Sequence, residues 1–173
     1  MTIPISLLLK TNAGQILGSM SHWLTKAADH AKAHEIDDSA LMAARLYPDM
    51  FPMGRQVQVA SDMAARGAAR LAGLEPASTP DTEETLTQLS DRCTAALASI
   101  TALDDAAIDA DPDSIITFAA GRGEISMPKA QFLATFIIPN VIFHATTAYG
   151  LLRHQGVPLG KLDFLSGGSM PGQ

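Results

Sequence analysis

Four stretches of this sequence repeat apolar residues at the three- and four-residue spacing of an α-helix. The first helix is predicted from about Ile5 to His34, and the others end near Leu71, Ile100 and His154. Apolar residues make up 47% of the chain while aromatic residues make up only 5%, which is typical of a helical protein rather than a β-sandwich. The sequence therefore predicts an all-α fold built on four long helices.

The segments between these stretches indicate where the helices begin. A short extra helix is expected near residues 38–44, after a group of capping side chains. Asp49 can cap the second long helix, which would accept Pro52 in its first turn. Thr82 (or Thr79) is expected to cap the third long helix, with acidic residues in its first turn.

A small β-hairpin is predicted before the fourth long helix. Residues 115–118 are β-branched or aromatic, which favours a strand. Residues 121–123 form a Gly-Arg-Gly turn signal, and residues 124–127 can form a short return strand. We expect this hairpin to lie on the side of the helical bundle.

The end of the chain is organised by prolines and glycines. The fourth long helix is expected to be interrupted by Pro139 and to stop before Gly156, where a fixed loop leads to Phe164. The length favours one domain with a real core. We predict a single domain over residues 1–165 and a flexible tail over residues 166–173.

Charge and cysteine content exclude several classes of function. The net charge is −6 and no basic face is evident, so nucleic acid is not an expected partner. The single cysteine, Cys93, excludes an internal disulfide and a cysteine-based zinc site. Its place on the apolar stripe of the third long helix predicts a buried, inert thiol. A cytoplasmic location fits best, because the cytoplasm is reducing.

One stretch, from Phe132 to Leu152, is apolar enough to be considered as a membrane span. It contains Pro139, Asn140 and His144, which are costly or disruptive in the middle of a bilayer. A span requires about 20 predominantly apolar residues. We therefore expect no membrane partner and predict that this stretch is a buried helix of the bundle.

Polar side chains follow one edge of the apolar face of the last helix. At about 100° per residue, Asn140, His144, Thr147, Leu151 and His154 fall within a sector roughly 80° wide. One interpretation is a polar pocket between helices, with His144 as a ligand or an acid/base group. The other is a histidine that hydrogen-bonds a neighbouring element and fixes the packing. The sequence alone favours this second interpretation.

Two further clusters of polar residues allow more than one interpretation. Tyr47 and Asp49 precede the second long helix, where the end of the bundle could form a pocket. With Arg45 they can also fix a turn through local hydrogen bonds, which is the commoner role of such a cluster. His30 and His34 have the i, i+4 spacing of a helical metal half-site, but their charged neighbours indicate a solvated face.

Three motifs carry a resemblance to a known family. They are RLYPDMFPMGRQVQVASD (45–62), PDTEETLTQL (80–89) and IPNVIFHATTAYGLLRHQGVPLGKLDFL (138–165). In this order they cover most of the chain and resemble an uncharacterised bacterial branch of the DinB-like or YfiT-like superfamily. The resemblance implies a DinB-like four-helix bundle with an up-down-down-up arrangement. It also implies a homodimer, because members of the superfamily are often dimeric.

Members of this superfamily typically bind a divalent metal through three histidines. One comes from the second helix, and two come from an H-x-x-x-H pair ahead of an L-R-x-x-G ending. Residues 152–156 match that ending, which puts His144 at the second position of the pair and Asn140 at the first. Residues 49–73, in the second helix, contain no histidine. His144 is therefore the only matching ligand position, so no cofactor is favoured and nickel or zinc is the alternative.

Two functional hypotheses remain open, and the sequence does not decide whether the protein is an enzyme. The first is a non-catalytic or small-ligand-binding bundle with a degenerate metal site. The second is an enzyme, either a metal-dependent thiol transferase or a metal-free acid/base catalyst that uses His144. Both would use the pocket, whose candidate residues are Tyr47, Asp49, Asn140, His144, Thr147 and His154.

Overall fold

Four long helices form the body of the protein, as the apolar spacing predicts. The computed structural model describes residues 3–121 and 123–167. In chain order the elements are α1 (Ile5–Ala33), α2 (Asp38–Met42), α3 (Met53–Leu71), α4 (Leu86–Thr101), α5 (Asp105–Asp109), β1 (Ile115–Ala120), β2 (Gly123–Pro128), α6 (Lys129–Gln131), a π-helical turn (Phe132–Ile137), α7 (Ile138–His154) and α8 (Lys161–Ser166). The long helices α1, α3, α4 and α7 bury their apolar stripes against one another around one core.

Helices α1 and α4 run antiparallel along one side of the bundle. Nζ of Lys10, early in α1, donates to the carbonyl oxygen of Thr101 at the end of α4. The hydroxyl of Ser21, further along α1, lies 2.8 Å from that of Ser90 near the start of α4. Between these polar contacts the core is apolar, and Leu17 and Met20 have no exposed surface. Burial of such large side chains is the main favourable term for this packing.

Helices α3 and α4 run parallel, which requires a long connection. Gln58 in α3 bonds to Glu83 just before α4, and Ser61, one turn later, lies beside Cys93 inside α4. Residues 72–85 therefore return along the bundle before α4 begins. With α7 antiparallel to α3, this gives the up-down-down-up DinB-like arrangement implied by the sequence motifs.

The second and third helix starts differ from the sequence prediction. The short helix near residues 38–44 is confirmed as α2 and is capped by Asp37. Asp49 does not cap α3, because Pro52 is the residue at the cap position and no side chain bonds there. The preceding turn is held instead by Arg45, whose Nη1 donates to the carbonyl oxygen of Met50 at 2.6 Å.

Helix α4 begins later than predicted. Thr85 caps it in a capping box, so the expected cap at Thr82 or Thr79 is wrong. The physical reason is a long-range ion pair. The carboxylate of Glu83 lies 2.7 Å from Nη1 of the buried Arg92, which holds the acidic segment extended instead of in the first turn.

The predicted hairpin is confirmed. Strands β1 and β2 pair antiparallel, with Ile116 opposite Met127. Phe118 points to the bundle, where its ring lies 4.8 Å from that of Phe132 and 4.5 Å from that of Phe136. The hairpin is therefore attached to the side of the bundle by aromatic contacts.

The last long helix is widened ahead of Pro139 rather than broken there. Helix α6, the π-helical turn and α7 form one continuous helix from Lys129 to His154. Proline has no N–H and its ring clashes with the carbonyl four residues earlier, so the preceding turn opens to a wider hydrogen-bond spacing. Gly67 of α3 faces this turn, and a Cβ built there would lie 2.8 Å from Cγ1 of Ile137.

The segment after Gly156 is not only a loop, because it ends in helix α8. Gly156 has φ of +90° and stops α7. The buried Asp163 of α8 accepts hydrogen bonds from Lys26, the backbone N of Gly160 and His22. Burial would raise the pKa of Asp163, but these bonds lower it to about 2. Residues 168–173 of the predicted tail lie outside the described residues.

Among the described residues, one helix, Lys129–His154, is apolar and long enough by length and composition to cross a membrane. Its α7 portion buries Val141, Ala145, Ala148 and Leu152 in the shared core. The same helix contacts α3 at Gly67 and packs against the hairpin through Phe132. These contacts place one face of the helix in the core of the bundle, whereas Ile142 and Phe143 on its other side are exposed.

The close approach at Gly67 generates a stability prediction. We expect Gly67→Ala to lower the free energy of unfolding by about 1–2 kcal/mol. The close overlap with Ile137 puts the overpacking cost at about 2–3 kcal/mol, the upper part of its usual range, and the gain in helix propensity offsets about 1 kcal/mol of it. Chemical denaturation of the purified variant measures the difference.

Two variants test the cause. Gly14→Ala, in α1 where nothing lies within 4 Å of the added methyl, should be neutral or stabilising. Ile137→Val removes the Cδ1 atom nearest to the clash, so it should cost less in the Gly67→Ala background than alone. A Gly67→Ala protein as stable as the parent would show that α3 and the π-helical turn are less closely packed than described.

Candidate functional site

A hydrogen bond between His144 and Gln56 joins α7 to α3. Nδ1 of His144 lies 2.6 Å from Oε1 of Gln56. Nε2 of Gln56 donates to the carbonyl oxygen of Phe51 at 3.1 Å, which identifies Oε1 as the acceptor. The proton of the neutral imidazole is therefore assigned to Nδ1, and Nε2 carries the lone pair.

Gln56 is an uncommon residue for its position. It lies on the inner face of α3 and only 1% of its surface is exposed. A buried amide is costly unless its donor and acceptor are both used, and here His144 and Phe51 use them. The amide thus holds the imidazole in one orientation and one tautomer.

Two aromatic rings flank His144. The Phe51 ring is nearly parallel to the imidazole at 6.5 Å between centroids, and the Phe143 ring meets it edge-on at 5.1 Å. Phe51 is 49% exposed and Phe143 is 56% exposed, so the rings border a surface open to solvent. The Arg55 guanidinium lies 5.8 Å from the centre of the Phe51 ring. His144 is consequently half-buried in an aromatic rim.

The surroundings favour the neutral form of His144. Partial burial is the main cause and the positive charge of Arg55 is the second, and together they lower the pKa of His144 below its ordinary value of 6.5. At pH 7 the ring is then an uncharged acceptor at Nε2. It can accept a proton or a hydrogen bond from a molecule at the rim.

Two of the other candidate residues, Asn140 and Thr147, are bonded within the continuous helix Lys129–His154. The side-chain amide of Asn140 donates to the carbonyl oxygen of Phe136 at 2.7 Å, and the hydroxyl of Thr147 donates to that of Phe143 at 2.8 Å. His154 is exposed and lies ten residues, or about 15 Å, along the helix from His144. Their membership of one pocket stays a prediction.

Tyr47 and Asp49 are both exposed and belong to the turn before α3. The backbone N of Met50 donates to the carbonyl oxygen of Tyr47 at 3.0 Å. Neither side chain hydrogen-bonds to His144 in the part of the chain that the structure describes. Arg45 and this backbone bond hold the turn, and the place of Tyr47 and Asp49 in a pocket stays a prediction.

The residues present do not fit a resident nickel or zinc ion. Over residues 3–121 and 123–167 there is no group of three or more His, Cys, Asp or Glu side chains that could hold a metal. The amide oxygen of Gln56 already accepts the proton of His144, and a catalytic site requires three protein ligands. The rings of His30 and His34 lie 4.2 Å apart and are tilted with respect to each other at the end of α1, but in the described part of the chain they likewise lack a third donor.

Cys93 does not provide a reactive thiol. It has no exposed surface and lies 3.5 Å from the hydroxyl of Ser61. Burial raises the pKa of the Cys93 thiol to about 12, so the thiolate is absent at neutral pH. The prediction of a buried, inert thiol is confirmed.

The main partner of His144 was not predicted from the sequence. Gln56 directly precedes Val57, which is buried on the inner side of α3. An amide beside that apolar stripe was the available signal, because a buried glutamine requires a partner on a neighbouring element. Phe51 and Arg55 were missed as well, and only the packing of α3 against α7 brings them to His144.

Replacing the amide with a carboxylate tests the hydrogen bond. We expect Gln56→Glu to raise the pKa of His144 by about one pH unit or more, because a carboxylate at Nδ1 stabilises the charged imidazolium. The pH dependence of the His144 ring signals in NMR spectra measures this. Gln155→Glu adds the same charge at the exposed end of α7 and should leave the His144 titration unchanged. An unchanged titration in Gln56→Glu would contradict the bond.

Comparison with known proteins agrees with this fold. Residues 10–165 match a family described as a domain of unknown function, DUF1993. A crystal structure of a DinB family member protein from Shewanella denitrificans superposes with a TM-score of 0.83. It is 34% identical, and the match covers 95% of this chain and 92% of that one. No curated protein matches the sequence. The protein therefore belongs to the DUF1993 domain family and has the fold of the DinB family.

Proposed function

We propose that this protein is a metal-free DinB-like bundle that binds a small molecule at the aromatic rim around His144. The observation that carries the proposal is the 2.6 Å bond from Nδ1 of His144 to Oε1 of Gln56. This bond occupies Gln56, a residue of the helix from which the superfamily takes a metal ligand. It also holds the other imidazole nitrogen ready to accept a hydrogen bond.

The chemistry of the rim indicates the kind of ligand. Phe51 and Phe143 offer flat apolar surfaces on two sides of His144, and both are about half exposed. Such rings favour a flat apolar group, and the Nε2 lone pair favours a hydrogen-bond donor next to it. A small phenol-like molecule has both features.

A second candidate function is acid/base catalysis by His144. The lowered pKa of His144 supports it, because an imidazole that is neutral at pH 7 is in the form required of a general base. A metal-dependent thiol transferase has weaker support, since the described part of the chain shows no group of metal ligands.

The proposal includes a homodimer in the cytoplasm. An apolar groove between α1 and α7 is lined by Leu9, Ile16, Val141 and Ile142, and Ile142 is 40% exposed. Pairing of two such faces is a common way to cover apolar surface. A light-scattering mass of one chain at micromolar concentration would contradict the dimer.

The cytoplasm suits a chain whose one cysteine is a buried thiol.

Metal analysis and phenol binding test the proposal together. We expect untagged protein, purified without chelator, to contain less than stoichiometric nickel, zinc or manganese. Phenol should shift the NMR signals of His144 saturably, whereas anisole, which lacks the O–H donor, should bind more weakly. Phenol binding should weaken as the pH falls through the His144 pKa, because protonated Nε2 no longer accepts a hydrogen bond.

His144→Ala and His154→Ala form a matched pair on one helix. The first should remove the preference for phenol over anisole, and the second should leave it unchanged. Equal binding of phenol by both variants would refute the role of His144. Stoichiometric metal that disappears in His144→Ala would support the metal-dependent alternative and overturn the metal-free proposal.

A further inference from the structure

A second recess lies between α3 and the hairpin, away from the ring of His144. Its volume is about 310 Å³, within the range of small-molecule sites. Phe118 of β1 and Phe132 and Phe136 of the π-helical turn form its apolar wall. Their ring centroids are 4.5 to 5.7 Å apart, so they form one aromatic cluster. Phe118 and Phe132 are buried and Phe136 is half-buried, so Phe136 is the ring of the cluster most open to the recess.

Three arginines of α3 border the same recess. They are Arg55, Arg66 and Arg70. Arg66 and Arg70 are four residues apart and therefore lie on one face of the helix. Arg55 is paired with Asp81. Arg66 and Arg70 have no carboxylate within ion-pair distance in the stretches 3–121 and 123–167.

The carboxylate that also borders the recess is already engaged. Asp62 lies 2.6 Å from Nη2 of Arg92, on the side facing α4. The positive charges of Arg66 and Arg70 therefore repel each other, and Nη1 of Arg70 donates one long hydrogen bond of 3.4 Å, to the carbonyl oxygen of Arg66. Partial burial, followed by the charge of Arg66, lowers the pKa of Arg70, whereas Glu75 acts in the opposite direction. An anion placed between Arg66 and Arg70 would relieve this repulsion and accept hydrogen bonds from both.

We propose that this recess binds an aromatic anion, with its ring against the aromatic cluster at Phe136 and its carboxylate or phosphate between Arg66 and Arg70. The site goes beyond the His144 rim. His144 does not line the recess, and Arg55 is the side chain that borders both regions. The π-helical turn provides two of the three rings, which is consistent with the frequent occurrence of such turns at functional sites.

Binding of four small probes tests the proposal. Phenyl phosphate and phenylacetate combine a ring with an anion, benzyl alcohol has the ring alone, and inorganic phosphate has the anion alone. We expect the two aromatic anions to bind saturably by calorimetry and to shift NMR signals of β1 and the π-helical turn. The other two probes should bind at least about 10-fold more weakly. Added salt should weaken the binding of the two aromatic anions, because it screens their attraction to the arginines. Comparing the two anions then identifies which headgroup the arginines prefer.

Variants locate the site. The double variant Arg66→Gln/Arg70→Gln should lose about 10-fold or more in affinity for phenyl phosphate. Lys32→Gln removes one positive charge, as each arginine substitution does, but at the exposed end of α1, and this variant should bind phenyl phosphate normally. His144→Ala should also bind phenyl phosphate normally. Arg66 is exposed and Arg70 is partly exposed, so the double variant is expected to fold, and its NMR spectrum verifies this. The two single variants provide the same test if it does not.

Several outcomes would overturn the proposal. Absence of saturable binding by both aromatic anions would remove it. Inorganic phosphate that bound as tightly as the aromatic anions would show that the aromatic cluster does not contribute. Benzyl alcohol that bound as tightly would show that the arginines do not contribute. Unchanged affinity in the folded double variant would place the anion elsewhere, and loss of binding in His144→Ala would assign the probe to the His144 rim.

Discussion

The buried guanidinium of Arg92 is the interaction on which the arrangement of the bundle depends. Only 4% of its side chain is exposed, and it is paired with Asp62 of α3 and with Asp81 and Glu83 of the returning connection. Burial alone would lower the pKa of Arg92, but hydrogen bonds to Glu83 and Asp62 raise it above the ordinary value. A buried charge of this kind is tolerated only when its partners are in place, and removing one partner typically costs about 3–5 kcal/mol. The parallel pairing of α3 with α4 therefore requires residues 72–85 to return along this path.

The helical core could be predicted from the sequence because it depends on local periodicity. The apolar stripe from Ala13 to Ala31 in α1 is buried as its spacing indicates, and the hairpin pairs as its turn signal indicates. Errors arose where a distant residue decides the local structure. An acidic residue such as Glu83 is favourable in the first turn of a helix. Its ion pair with Arg92 holds Glu83 outside that turn, and Thr85 caps α4 instead.

The candidate site was only half predictable for the same reason. His144 could be singled out because it lies on the edge of an apolar face and matches a motif. Gln56 is 88 positions away in the chain, and its pairing with His144 depends on the axial register of α3 against α7. That register depends in turn on Gly67, whose missing side chain admits Ile137. Neither relation leaves a periodic signal in one sequence.

The widened turn before Pro139 also has a consequence for reading relatives of this chain. A π-helical turn holds one residue more than an α-helical turn, so it rotates everything that precedes it by about 100° relative to α7. When positions are counted backwards from Gly156, α-helical spacing predicts the face of the helix correctly as far as Ile138. Before Ile138 the same spacing predicts the wrong face, because the π-helical turn intervenes. Asn140 and His144 lie within the reliable part. A relative that lacked the proline and the extra residue could align with α7 without a gap, at positions 140 and 144 as well. It would nevertheless present a different face of the segment equivalent to residues 129–137 to α3.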